Sequence, residues 1–145
     1  MSTNILTTNN IELNKNLSDK EEAVRYVGSI LRDQGYVTDE YIGEMLKREE
    51  VTSTFMGNYV AIPHGTEDAK KSVQETGISI VTVPNGVDFG DGNIVKLLIG
   101  IAGKGDEHLE VLSQIAIVCS EEENIDKILE ADTKEDVLAI FSEVS

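Results

Sequence analysis

The sequence is poor in the residues that crosslinking and catalysis usually draw on. It has one cysteine, Cys119, which excludes an intramolecular disulfide framework and a cysteine-based zinc cluster. Its two histidines, His64 and His108, lie far apart in the chain with no third ligand at metal spacing, so no metal is expected. Basic residues are scarce: 12 lysines and arginines stand against 27 aspartates and glutamates, a formal net charge of -15. A field of that sign repels nucleic-acid phosphates and anionic lipid, which sets both aside as partners. No apolar run approaches the roughly 20 residues of a membrane span, so no membrane insertion is expected. Residues 1–10 have neither a positive charge nor an apolar core and do not read as a secretory signal, which makes the expected location cytoplasmic. Gly103-Lys104-Gly105 lacks the Walker spacing and residues 100–105 lack the dinucleotide fingerprint, so no nucleotide cofactor is expected.

What is present suits one domain, residues 1–145, of ordinary size and able to bury a core without staples. Ser18 and Glu21 have capping-box spacing, and Ala23, Val24, Val27, Ile30 and Leu31 follow on one helical face up to Gly35. Thr38 is placed to cap a second helix with Tyr41, Ile42, Met45 and Leu46 on its face, giving way to extended chain from Val51. Ile11 and Leu13 suggest a short edge strand. Val60 and Ile62 alternate up to Pro63, and Ile78 to Val83 form a strand that Pro84-Asn85-Gly86 is expected to turn. Val95 to Ala102 is nearly all apolar, as a central strand covered on both faces would be. A third long helix is expected after Asp106, with Leu109, Leu112, Ile115, Ala116 and Cys119 inward. Asn124 is read as the cap of a shorter helix bearing Ile125, Ile128 and Leu129. Thr133 and Asp136 cap the last, with Val137, Leu138, Phe141 and Val144 inward. The expected fold class is α/β (or α+β), a single domain with a mixed sheet between helices.

The most unusual stretch is Ala61-Ile62-Pro63-His64-Gly65-Thr66. It sets an imidazole at a strand end between a residue of fixed φ and one that lets the backbone approach a bound group. The same pattern also fits a histidine that only hydrogen-bonds in a turn. If Asp106 is an N-cap, His108 lies in a first helical turn, where free N–H groups and the helix dipole favour a phosphoryl or other anion. It reads equally as an exposed residue with no role. Arg48 is a rare cation at the end of the second helix, suited to gripping phosphate oxygens or to pairing with Glu44 four residues before it. Cys119 reads as a buried packing residue.

Met45-Leu46-Lys47-Arg48-Glu49-Glu50, Thr54-Phe55-Met56-Gly57, Ala61 to Thr66, Gly86-Val87-Asp88-Phe89-Gly90 and Gly105-Asp106-Glu107-His108 occur in that order. Together they resemble the enzyme IIA domain of the bacterial phosphotransferase system, mannitol/fructose family, over residues 6–144. The Gly-x-Gly-x-Ala pattern of the fructose and nitrogen-regulatory branches is absent, where this chain reads Gly57-Asn58-Tyr59-Val60-Ala61. The resemblance is closest to the mannitol-specific, stand-alone form. It implies a mixed five-stranded sheet with helices on both faces. It further implies a phosphocarrier whose His64 accepts a phosphoryl group from phospho-HPr, as a tele-phosphohistidine, and passes it to a cysteine of the enzyme IIB domain of a sugar permease. His108 and Arg48 would stabilise the phosphoryl group, with no cofactor. A second reading is a regulatory module of the same fold whose phosphorylation state controls a partner.

Overall fold

A computed structural model describes residues 5–66, 71–104 and 107–142. The first long helix, α1 (Lys20–Asp33), buries Ala23, Val24, Val27, Ile30 and Leu31. Its cap lies one residue later than the spacing of Ser18 and Glu21 suggests. The Asp19 carboxylate accepts the Glu22 N–H at 2.9 Å, and Glu22 reaches back to the Ser18 N–H at 2.9 Å. Asp19 wins because a charged acceptor at the positive helix end is stronger than a hydroxyl. The helix ends at Gly35, with φ at +84°. The N–H of Tyr36 bonds the Leu31 carbonyl and that of Gly35 the Arg32 carbonyl, both at 3.0 Å. This paired closure needs a left-handed residue, which glycine supplies without a Cβ clash.

The next helix, α2 (Glu40–Val51), packs Tyr41, Ile42, Met45 and Glu49 inward. It continues through Val51, expected to be extended; that side chain is exposed, so its β-branching disfavours the helix by only about 0.5 kcal/mol. Thr52 then adopts an extended backbone.

Five strands follow the chain as β1 (Ile11–Glu12), β2 (Phe55–Gly57), β3 (Val60–Ala61), β4 (Gly77–Asp88) and β5 (Ile94–Ala102). They lie in the order β1-β4-β5-β3-β2. Pairing is mixed: β1 runs parallel to β4, β4 antiparallel to β5, β5 parallel to β3, and β3 antiparallel to β2. The apolar segment expected to be central is indeed the middle strand. Pro84-Asn85-Gly86 does not end β4 but forms an irregularity within it. The register shifts between Thr82 and Val87, after which Val87 pairs with Val95 and Asp88 with Ile94. Gly86 has φ of +82°, and a Cβ there would meet Ile94 Cγ2 at 2.6 Å. A bulge can absorb a proline without a donor N–H where a regular ladder could not.

The sheet separates two apolar layers. On one face α1 and α2 pack over Ala61, Val81, Val83, Leu98 and Ala102. On the other, Val60, Ile78, Ile80, Leu97, Ile99 and Ile101 meet α3 (Glu107–Cys119), α4 (Glu122–Glu130) and α5 (Lys134–Ser142). The inward side of α3 is Val111, Ile115, Val118 and Cys119, whereas Leu109 is 72% exposed. The expected face is thus rotated, because Val111 and Val118 outcompete Leu109 for the sheet. Asn124 lies inside α4 rather than capping it, and its side chain donates to the Val118 carbonyl at 3.0 Å, tying α4 to the end of α3. Thr133 caps α5, accepting the Asp136 N–H at 3.1 Å. The readings placed on Gly105, Asp106 and Val144 lie outside the described residues.

Candidate functional site

In open sheets with parallel strands, ligands are held beyond the carboxyl ends of those strands. Here β3 and β5 are the parallel pair at the centre, and the chain leaving β3 is Ile62-Pro63-His64-Gly65-Thr66. Its course stays tied to β5. The Ile101 N–H donates to the Pro63 carbonyl at 3.0 Å, and His64 forms a single parallel bridge with Ile101. From β2's side, the Ile62 N–H bonds the Thr54 carbonyl at 3.1 Å. The histidine therefore sits on the rigid end of the central strands.

The ring is half-buried, and its Nδ1 lies 2.8 Å from the Ile62 carbonyl oxygen. A carbonyl only accepts, so Nδ1 carries the hydrogen in this contact, and the lone pair of the neutral ring falls on Nε2. The pKa of His64 is lowered from its ordinary value. Burial is the main cause, and the Arg48 charge adds to it, against the Ile62 hydrogen bond and the Glu49 charge, which oppose. The imidazole is thus held neutral near pH 7, the form that can act as a nucleophile.

Arg48 stands in the last turn of α2, half-buried, and its Nη1 donates to the Thr52 carbonyl at 2.7 Å. It makes no ion pair with Glu44 among the described residues. That carboxylate takes the Thr66 hydroxyl at 2.7 Å and the Lys47 ammonium at 3.4 Å instead. The Arg48 charge helps lower the pKa of His64, which puts these two predicted residues within electrostatic reach of each other. His108 is the second residue of α3, which starts just after β5 ends. Its side chain lies outside the described residues. Cys119 is buried on α3, and burial pushes its thiol pKa up to about 12, which keeps it an unreactive packing residue.

Sequence reasoning missed three polar groups around the histidine. Tyr41 was read as apolar face, yet its hydroxyl donates to the Ile101 carbonyl at 2.7 Å and accepts the Gly65 N–H at 2.9 Å. Glu44 was read only as a partner for Arg48. Glu49, 4% exposed, accepts both the Thr54 N–H at 2.7 Å and its hydroxyl at 2.6 Å. The signal available was spacing: positions 41, 44 and 48 share one helical face that ends at the arginine. Among the described residues no cluster of three or more histidine, cysteine, aspartate or glutamate side chains is placed to hold a metal.

Comparison with known proteins settles the family. The model of the phosphoenolpyruvate-dependent sugar phosphotransferase system, EIIA 2, matches residues 4–144. The chain belongs to this family. It is a phosphotransferase component, which carries phosphoryl groups between proteins of that system. The chain is 59% identical over 145 residues to the mannitol-specific phosphotransferase enzyme IIA component of Geobacillus stearothermophilus, covering 100% of both. Its fold is similar to enzyme IIAMTL in the complex with phosphorylated enzyme IIBMTL from Escherichia coli, with a TM-score of 0.90, 36% identity and coverage of 95% and 97%. The crystal structure of IIA mannitol from Escherichia coli is also similar, with a TM-score of 0.87 and 37% identity over 94% of this chain and 98% of that one. The mixed five-stranded sheet between helices that the enzyme IIA resemblance implied is the fold of this chain, and it matches both neighbours.

Proposed function

We propose that this chain is the IIA phosphocarrier of a mannitol permease, with His64 as the residue that carries the phosphoryl group. The observation that supports it most is the 2.8 Å contact between His64 Nδ1 and the Ile62 carbonyl, which assigns the lone pair to Nε2. In the reaction, Nε2 attacks the phosphorus of phospho-HPr. A P–N bond forms at Nε2 while the donor's P–N bond breaks, its electron pair returning to the donor imidazole. Onward, a cysteine thiolate of enzyme IIB takes the phosphoryl group from Nε2 and the His64 ring becomes neutral again. Such transfers have loose transition states, so catalysis is largely positioning and charge stabilisation. Arg48 is suited to the phosphoryl oxygens, and His108, in the first turn of α3, to donating an N–H there.

Mannitol as the sugar rests on the similarity to relatives named for it, and enzyme IIB as acceptor on the fold shared with a IIA bound to phosphorylated IIB. No helix among the described residues is long and apolar enough to cross a membrane. Label should pass from phosphoenolpyruvate through enzyme I and HPr onto the peptide containing His64, as an acid-labile, alkali-stable phosphate, and from there onto a mannitol IIB domain. Labelling that survives His64→Ala overturns the assignment. Acceptance without delivery to any IIB would favour the regulatory module instead.

A further inference from the structure

The stripe of α2 that ends in Arg48 also grips the chain on the far side of His64. Tyr41 is 2% exposed, and its hydroxyl works in both directions: it donates to the Ile101 carbonyl at 2.7 Å and accepts the Gly65 N–H at 2.9 Å. A single oxygen thereby links the end of the central strand to the residue that follows the histidine. One turn along, Glu44 Oε2 accepts the Thr66 hydroxyl at 2.7 Å. On the near side, the Pro63 carbonyl is held by the Ile101 N–H at 3.0 Å. Ile101 is thus the common anchor: its N–H holds the residue before His64, and its carbonyl, through Tyr41, holds the residue after it. A phenylalanine would fill the same apolar space without a buried hydroxyl to satisfy.

We propose that Tyr41 is a positioning residue for phosphoryl transfer. Its hydroxyl, backed by the Glu44–Thr66 bond, fixes the backbone at Gly65 so that the His64 ring keeps Nδ1 on the Ile62 carbonyl and presents Nε2. The proposal rests on the reading of His64 as acceptor. Gly65 has no side chain to restrain it, so without the tether the Pro-His-Gly segment regains freedom on one side. Misplacing a reacting atom by about 1 Å can slow a reaction on the order of 100-fold.

Tyr41→Phe, assayed well below its melting midpoint, should lower the maximal transfer rate at saturating phospho-HPr about tenfold, with the half-saturating donor concentration changed by less than about twofold. Nitrogen-15 spectra of the His64 ring should move from the Nδ1–H form in the wild type towards a mixture of tautomers in the variant. A merely structural loss would lower the folded fraction without moving the ring signals of the folded molecules. Folded Tyr41→Phe with the wild-type rate and wild-type ring signals overturns the proposal. Should that variant not fold, the wild type decides: the Gly65 amide must exchange with solvent as slowly as that of Ile101, and exchange at open-loop rates overturns the tether. If phospho-HPr fails to label the wild type, it is the acceptor reading that falls; the ring tautomer and Gly65 exchange still judge Tyr41 separately.

Discussion

Helices α2 and α3 lie on opposite faces of the sheet and pack there with different chemistry. The inward positions of α3 are Val111, Ile115, Val118 and Cys119, which make contact and little else. Those of α2 include Tyr41 and Glu49, whose oxygens hold Gly65, Ile101 and Thr54. Apolar contact is non-directional and sets no angle. Buried hydrogen bonds are directional, and leaving one unmade is expensive. The α3 face supplies stability, and the α2 face supplies the geometry of the histidine.

The sharpest test of that division compares one residue from each face. Ile115→Ala opens a cavity under α3 and should destabilise the fold by about 2–5 kcal/mol, while the transfer rate per folded molecule stays near the wild-type value. Glu49→Ala should cost less, about 1–3 kcal/mol, because it strands the Thr54 N–H and hydroxyl. It should nevertheless slow transfer, since Glu49 anchors the turn that follows Arg48. Urea midpoints and transfer rates for both variants check this. Ile115→Ala with the slower rate per folded molecule would break the comparison.

The difference between the faces also explains what could be read from the chain. Periodicity registers apolar contact, so α1, α2, α3, α4, α5 and the central strand were legible as elements, as was the strand-end position of His64. Two of the errors fell where candidates of similar type competed locally. Asp19 displaced Ser18 as cap, and Val111 displaced Leu109 on α3. At Pro84-Asn85-Gly86 the expected turn is instead an irregularity inside β4, and the ladder resumes with Val87 opposite Val95, because the long antiparallel partner was invisible locally. Tyr41 and Glu49 escaped notice because a hydrophobic pattern records that a side chain is buried, not which atom it bonds. His64 and Arg48 became candidates through motif order and scarcity, and spacing alone left each with a structural alternative.

Charge removal from the site should have the next largest effect. A charge-assisted contact to a phosphoryl group is worth about 1.5–3 kcal/mol, so Arg48→Ala should slow transfer by one to two orders of magnitude. Its thermal midpoint should fall little, since the guanidinium's bond is to the Thr52 carbonyl at a half-exposed helix end. On the α3 side, His108→Ala should still be labelled on His64 but accept and deliver phosphate more slowly. His108→Gln, which keeps a donor, should recover part of the loss. Wild-type rates in both His108 variants would confine the chemistry to the α2 side.

The smallest effect is in pH dependence, and its sign follows from the lowered pKa of His64. Above about 6.5, the ordinary histidine value, the ring is neutral in both folded and unfolded chains and its contribution to stability is complete. As pH falls, the unfolded chain takes up the proton first, so stability is lost until the folded ring protonates too, at most about 1.4 kcal/mol per pH unit. The wild type should therefore lose more stability than His64→Gln between pH 6.5 and the folded-state pKa, read from urea midpoints. The transfer rate should lose its nucleophile only below pH 6.5. The two charges on α2 push in opposite directions: Arg48 lowers the pKa and Glu49 raises it. Arg48→Ala should accordingly move the acid limb upward and Glu49→Gln move it downward, while Ile115→Ala leaves it in place. A His64 ring that titrates at or above 6.5 by NMR would show that burial does not govern it, and with that the electrostatic share of α2 in the site would go.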